Sequence, residues 1–331
     1  MKSLGIYGLG NAIMDLQVQV ADKAIAELGL QKGGMQLVDT AKQKHLVEHF
    51  HGQELVQRSG GSAANTIIAL AQLGVPVAYA CTVGNDTFGS YYAEEMKQLG
   101  VVLHNDAADE ATGTCFILIT PDAERTMNTN LGASALFGPE HVSREYIEKS
   151  EWIYIEGYLL TSETACRAAL EAAEFAKGCG TKVSITFSDA FIVNGFRRPL
   201  EQIVSMSDLI FANEMESRAF TGKENEDDVF AALKSAAPNV VMTQHDKGAR
   251  ASWQGVDCFV PAFDASAVDT TGAGDMFAAG FLYGVHKGLK VEQSVKVANF
   301  LASKVVAQLG ARLEGDVHRL LELNDLTPAA V

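Results

Sequence analysis

The sequence predicts an α/β protein: a doubly wound, mostly parallel sheet flanked by helices, with a small second sheet beside it. Three observations carry that prediction. From Glu151 onward, strand-like and helix-like segments alternate, as crossover-connected parallel strands require. In the first half, four strand-like segments interrupt the alternation and have no place in a parallel sheet. The 331 residues are 47% hydrophobic and 20% charged, enough apolar material for a large α/β core. No repeat, low-complexity tract or linker divides the chain, so residues 1–331 are read as one domain.

Leu4 to Leu9 reads as a buried strand ending in Gly8-Leu9-Gly10. A dinucleotide fingerprint fails here. Ile13 stands where the third glycine belongs, and Asp15 to Val20 alternates with period two instead of opening a helix. Asn11 and Asp15 follow the strand end, where open α/β sheets bind ligands; an Asp accepts two hydrogen bonds from a diol, although both residue types are also turn formers. Ala21 to Gly29 reads as a short helix, Gly33 to Val38 as a turn and strand, and Lys42 to His51 as a polar helix. His45 and His49 lie one turn apart there without a His-Glu-x-x-His pattern, so they read as solvated surface.

Ser59-Gly60-Gly61-Ser62-Ala63-Ala64-Asn65-Thr66 precedes an apolar helical face at Ile67, Ile68, Leu70, Ala71 and Leu73, so the glycine pair opens a helix with Asn65 near its first turn. Val77 to Val83 is a strand, Gly84 to Gly89 a turn, and Tyr91 to Leu99 a helix. Thr112 to Thr120 and Arg125 to Asn130 form a hairpin around Pro121-Asp122-Ala123-Glu124. With Leu16–Val20 and Met35–Val38 they make the second sheet, inserted at about 12–40 and 110–131. Strands follow at Trp152–Ile155, Lys182–Thr186, Asp208–Phe211 and Val240–Thr243, with a helix at Ser162–Lys177 and a more antiparallel-looking segment at Cys258–Val260. Val291 to Leu309 reads as one long helix stopped by Gly310, and Leu326 to Val331 as a loose tail.

The most informative stretch is Val268-Asp269-Thr270-Thr271-Gly272-Ala273-Gly274-Asp275-Met276-Phe277. Apolar residues at helical spacing follow it, so Gly272-Ala273-Gly274 sits at a helix N-terminus. Free N–H groups and the helix dipole favour an anion there, and glycine lets it approach closely. Asp275, in the first turn, is then a carboxylate beside an anion site, the arrangement of a base next to a phosphoryl group; a plain capped helix after a loop is the competing reading.

A net charge of −15 argues against a nucleic-acid surface, and no apolar run of ~18 residues marks a membrane span. Cys81, Cys115, Cys166, Cys179 and Cys258 are scattered and odd in number, as expected of free thiols in a reducing compartment. With no signal-peptide pattern at the start, cytoplasm is the expected location. No Gly-x-x-x-x-Gly-Lys-Ser/Thr is present, which excludes a P-loop enzyme.

Asp269-Thr270-Thr271-Gly272-Ala273-Gly274-Asp275 resembles the C-terminal signature of the ribokinase-like, PfkB-type carbohydrate and nucleoside kinases. Ser59 to Thr66 resembles their N-terminal signature, and Asn213-Glu214-Met215-Glu216 their Asn-x-x-Glu motif. The motifs stand in family order from Gly10 to Gly310. The resemblance implies a ribokinase-like fold whose second sheet is a lid, and ATP-dependent phosphorylation of a primary hydroxyl. It makes Asp275 the catalytic base and the N–H groups of Gly272, Ala273 and Gly274 the anion hole. Asn11, Asp15, Gly60, Gly61 and Asn65 would hold the acceptor. Asn213, Glu216, Thr243, Gly248, Gly272, Gly274 and Asn299 would hold ATP, with Mg²⁺ bound through water on Glu216. Asp269 and Thr271 match positions near a K⁺ site. One departure is His245, at a position where many members carry glycine.

Gly10-Asn11-Ala12-Ile13-Met14-Asp15 and Thr243-Gln244 resemble the adenosine kinases, which favours adenosine as acceptor; Ser62-Ala63-Ala64 after the glycine pair is closer to sugar kinases. A ribose- or fructose-like sugar is the alternative acceptor, and a ligand sensor on a kinase scaffold the non-enzyme alternative. The expected partner is this small molecule alone, with no nucleic acid or membrane, in a monomer or homodimer.

Overall fold

The computed structural model describes residues 2–122 and 124–327. Residue 123 of the expected hairpin turn and residues 328–331 of the expected tail lie outside the described residues. In chain order the strands are β1 (Leu4–Leu9), β2 (Ile13–Gln19), β3 (Met35–Leu37), β4 (Val56–Gly60), β5 (Val77–Gly84), β6 (Val102–Ala108), β7 (Gly113–Ile119), β8 (Arg125–Asn130), β9 (Ser150–Glu156), β10 (Lys182–Thr186), β11 (Leu209–Asn213), β12 (Asn239–Thr243), β13 (Gly248–Trp253) and β14 (Val256–Pro261). The helices are α1 (Asp22–Glu27), α2 (Thr40–His49), α3 (Ser62–Gln72), α4 (Thr87–Gln98), α5 (Arg144–Lys149), α6 (Glu163–Cys179), α7 (Ala190–Gly195), α8 (Arg197–Met206), α9 (Glu214–Thr221), α10 (Glu226–Ala236), α11 (Ala273–His286), α12 (Val291–Val305) and α13 (Val317–Glu322).

The nine-stranded sheet runs β14-β13-β12-β11-β10-β9-β1-β5-β6 and is parallel except for the β12-β13-β14 meander. Its central strands, such as Gly5 to Leu9 of β1, are buried on both faces because helices cover each side. β1 lies between β5 and β9, so the chain winds one way to β6 and the other way from β9 to β12. That reversal opens a crevice at the carboxyl ends of β1 and β9, where Asn11 and Glu156 stand.

The second sheet has five strands in the order β3-β8-β7-β2-β4. Period-two patterning gives it two different faces. Leu16, Val18, Phe116 and Leu118 pack with Ile25, Leu46 and Phe50 of α1, α2 and its C-terminal end. Ile13, Cys115, Ile117 and Met127 form the opposite face.

The expected α/β class, doubly wound sheet and second sheet are present, with differences in detail. β4 joins the second sheet outside the expected 12–40 and 110–131 insertions; Val56-Gln57-Arg58-Ser59-Gly60 carries little hydrophobic signal because it pairs as an edge strand with β2. β2 starts at Ile13 instead of Leu16, and the edge strand β6 was not expected. Helix α4 starts at Thr87, within the expected turn, because the Asp86 side chain accepts the Gly89 N–H as its cap. Helix α12 ends at Val305, short of the expected Leu309.

Candidate active site

A cavity of about 660 Å³ lies between the carboxyl ends of the large sheet and the second sheet, a size suited to small-molecule ligands. Its floor carries Asn11, Ser62, Asn65, Glu156 and Asp275. Its roof is one face of the second sheet, with Ile13, Met35, Leu37, Cys115, Ile117 and Met127 forming an apolar patch beside the charged Asp15 and Arg125. Phe116 points the other way, into the second sheet's own core.

Asp275 is in the first turn of α11 and is gripped from the first turn of α3. Ser62 Oγ donates to Asp275 Oδ1 at 2.6 Å, and Asn65 Nδ2 donates to Oδ2 at 3.0 Å. Burial raises its pKa to about 6; the two hydrogen bonds oppose that rise and the charge of Asp15 adds to it. Tyr154 and Glu156 of β9 also feel its charge, as does Tyr158 after that strand. The outcome is a carboxylate that is ionised at neutral pH yet more basic than a free Asp.

The helix behind it is left open at its start. Gly272 has a φ of 74°, and a Cβ there would lie 2.2 Å from the Ala311 carbonyl oxygen, so only glycine fits. The Ala273 N–H is used by Thr270 O at 3.3 Å, so the hole differs from the expected trio at that residue. Among the described residues the N–H groups of Gly272, Gly274 and Asp275 have no protein acceptor. A Cβ on exposed Gly274 would meet nothing within 4 Å, so the backbone is bare toward the cavity.

At the acceptor end, Asn11 lines the cavity while its backbone is fixed: its N–H donates to Glu156 and its carbonyl accepts from Tyr79 OH. Burial raises Asp15 to about pKa 6, against the pull of Arg125 and Arg312 and with the push of Asp269. Gly61 and Asn65 line the cavity, and the buried Asn65 Oδ1 has no partner. Gly60 does not line it; a Cβ there would strike the Asp15 carboxylate at 2.6 Å, so this glycine makes room for Asp15.

At the other end, Asn213 and Glu216 form a reciprocal cap on α9: Glu216 N donates to Asn213 Oδ1 at 2.9 Å, and Asn213 N to Glu216 Oε2 at 2.9 Å. Both face the cavity beside Asp189 and Thr243. Burial raises Glu216 to about pKa 7, opposed by the Asn213 N–H and aided by Asp189. Gly248 and Asn299 do not line the cavity. Gly248 fits its Cα against Val260 O, and Asn299 Nδ2 donates to Val260 O and Pro261 O, so both shape β14 from behind.

Sequence reasoning did not assign Ser62 or Asp189 to the site, nor Glu156 and Arg125. Glu156 ends β9, almost fully buried, and receives the N–H groups of Asn11 and Ala63. Arg125 of β8 is buried; its Nη1 donates to both Asp269 oxygens at 3.0 and 3.2 Å, while Nε and Nη2 have no partner. Glu156 was signalled only by a charge at the end of an apolar strand, and Arg125 was one charge in a polar strand. Asp269 also accepts from Thr271 N and Gly310 N. Burial pushes its pKa up, but Arg125 and the two N–H groups outweigh that and hold it below the ordinary value. Among the described residues no cluster of three His, Cys, Asp or Glu could hold a metal, and no helix is long and apolar enough to cross a membrane.

The pfkB family carbohydrate kinase model matches residues 34–316. Adenosine kinase of Saccharomyces cerevisiae is 30% identical over 91% of this chain and 94% of its own length. Among solved structures, adenosine kinase of Sinorhizobium meliloti superposes with a TM-score of 0.92 at 31% identity, covering 98% of this chain and 100% of its own. A probable sugar kinase of Rhizobium etli gives 0.94 at 29% identity, covering 99% and 100%. The chain belongs to the pfkB carbohydrate kinase family and is an ATP-dependent kinase acting on an alcohol group.

Proposed function

We propose that this pfkB-family kinase phosphorylates the primary hydroxyl of a nucleoside, with adenosine, converted to AMP, as the preferred acceptor. The observation that carries this reading is that the cavity sets an apolar patch of the second sheet beside a group of hydroxyl-binding side chains. Asn11, Asp15 and Asn65 suit the hydroxyls of a ribose. Ile13, Met35, Ile117 and Met127 suit the faces of an uncharged base, and a bare sugar would leave that surface uncovered. The similarity to adenosine kinases supports it.

In this reading Asp275 accepts the hydroxyl proton as the oxygen attacks the terminal phosphate of ATP in line. Charge gathering on the transferred group meets the bare first turn of α11 at Gly272, Gly274 and Asp275. Arg125 also lines this cavity, with its charge paired to Asp269. Glu216 and Asp189 supply acidic groups but no closed cage, which fits a Mg²⁺ that arrives on the triphosphate and keeps its waters. Bound there, the ion would neutralise phosphate charge. The second sheet acts as a lid that excludes water from the transfer.

A sugar acceptor is the second reading, favoured by the equally good superposition on a probable sugar kinase. Coupled ADP release with Mg·ATP separates the two. Adenosine should turn over far faster than ribose, fructose or 2-keto-3-deoxygluconate. A sugar with the higher kcat/KM would contradict the nucleoside assignment.

A further inference from the structure

We propose that Glu156 is a positioning residue that locks the Asn11 loop and the first turn of α3 into one unit and thereby sets the aim of Asp275. This rests on the kinase reading above. Helix α3 has no cap of its own, because its N-cap is Gly61, with a φ of 105° and no side chain. Glu156 supplies the cap from β9. Its Oε2 accepts the Ala63 N–H, and its Oε1 accepts the Asn11 N–H, both at 2.7 Å. A carboxylate at a helix N-terminus meets the favourable end of the helix dipole, and burial strengthens both bonds.

The surroundings are built around that carboxylate. A Cβ on Gly10 would lie 2.7 Å from Glu156 Oε2, so the strand end before Asn11 is cut to fit it. Tyr79 OH donates to the Asn11 carbonyl and Tyr92 OH to the Gly60 carbonyl, fixing the loops from below. Ser62 and Asn65, on the turn that Glu156 caps, are the two residues that hold Asp275. The path from Glu156 to the base is therefore one helical turn. The titratable groups facing Glu156 are Tyr79 and Cys81 of β5, Tyr92 of α4, Tyr154 on its own strand, Tyr158 after it and Asp275 of α11. Burial raises Glu156 to about pKa 7, opposed by its two N–H donors and aided by the charge of Asp275.

The test is Glu156→Gln in the full chain, read by kinetics and by amide hydrogen exchange. A Gln fills the same volume but turns an NH₂ toward one of the two N–H donors, so one bond is lost. The acceptor KM should rise and kcat fall, each on the order of tenfold, with the ATP KM within about twofold. Amides 61–66 should exchange faster than in the wild type. Glu156→Asp keeps the charge but is one methylene short, and should fall between; it also carries the test if the Gln variant does not fold. Wild-type constants in both variants, or equal losses in the acceptor and ATP KM, would overturn the assignment. So would a loss in Glu156→Gln that vanishes with an acceptor lacking one hydroxyl, which would make Glu156 a direct contact. If the wild type turns over no acceptor, the kinase reading fails, and exchange at 61–66 still decides the role of Glu156.

Discussion

Helices α3 and α11 begin alike. Each follows a glycine in the left-handed region, Gly61 at 105° and Gly272 at 74°, and neither has a side-chain cap from its N-cap residue. They pack beside each other and meet at Asp275, which belongs to α11 and is held by Ser62 and Asn65 of α3. They differ at the second helical position. In α3 the N–H of Ala63 is filled by Glu156, whereas in α11 the N–H of Gly274 has no protein partner. Ala63 is fully buried, and Gly274 opens on the cavity. An N–H met by a buried carboxylate is framework, and one left open on the cavity is a place for a ligand anion. A donor open to solvent exchanges its water for a phosphate oxygen when the ligand binds.

The comparison can be broken most sharply at the carboxylate between the helices. Asp275→Asn should lower kcat by roughly 10²–10⁴-fold, the range for loss of a general base, while acceptor binding changes little in calorimetry. Its stability should move the other way. The folded pKa of Asp275, about 6, lies above that of a free Asp, so the ionised group costs stability above about pH 6. That cost fades as the pH falls through the folded value and is gone below the unfolded one. The Asn variant should therefore be more stable at pH 8, by on the order of 1 kcal/mol in denaturant melts, and show no such gain at pH 4.

Gly274→Ala should be next, at roughly 10-fold or more in kcat, because a methyl group would stand over the bare donors. It should not destabilise the fold, since a Cβ there meets nothing within 4 Å and alanine favours helix by about 0.5–1 kcal/mol. A variant that keeps full activity would show that the phosphoryl group does not use this turn. Arg125→Ala should weaken both ends: ATP turnover should drop, and loss of the buried partner of Asp269 should cost about 3 kcal/mol in stability. Asn299→Ala should have the smallest effect, a loss of about 1–2 kcal/mol from two freed carbonyls, with the ATP KM nearly unchanged.

Much of this was legible in the sequence. The two glycine-led helices follow from apolar spacing after Gly61 and Gly272, and Asp275 from its place in the first turn. The doubly wound sheet follows from alternation after Glu151. Which helix end is filled could not be read locally, because the filling group, Glu156, comes from a strand far along the chain. β4 escaped because an edge strand with Gln57 and Arg58 needs no hydrophobic pattern once it pairs with β2. Arg125 read as part of a polar strand; only the fold sets it against Asp269. Asn213 and Glu216 carried both readings at once, since the same pair caps α9 and faces the cavity.

The central claim is that the carboxylate between these two helix ends is the base, and the pH dependence of kcat tests it most directly. Adenosine turnover measured between pH 4.5 and 9 should be flat above neutrality and fall about tenfold per unit below about pH 6, as protonation of Asp275 requires. Ser62→Ala removes a hydrogen bond that favours the ionised form, so it should move that limb upward. A limb that stays in place in Ser62→Ala, or that persists at near-wild-type rates in Asp275→Asn, would contradict the account.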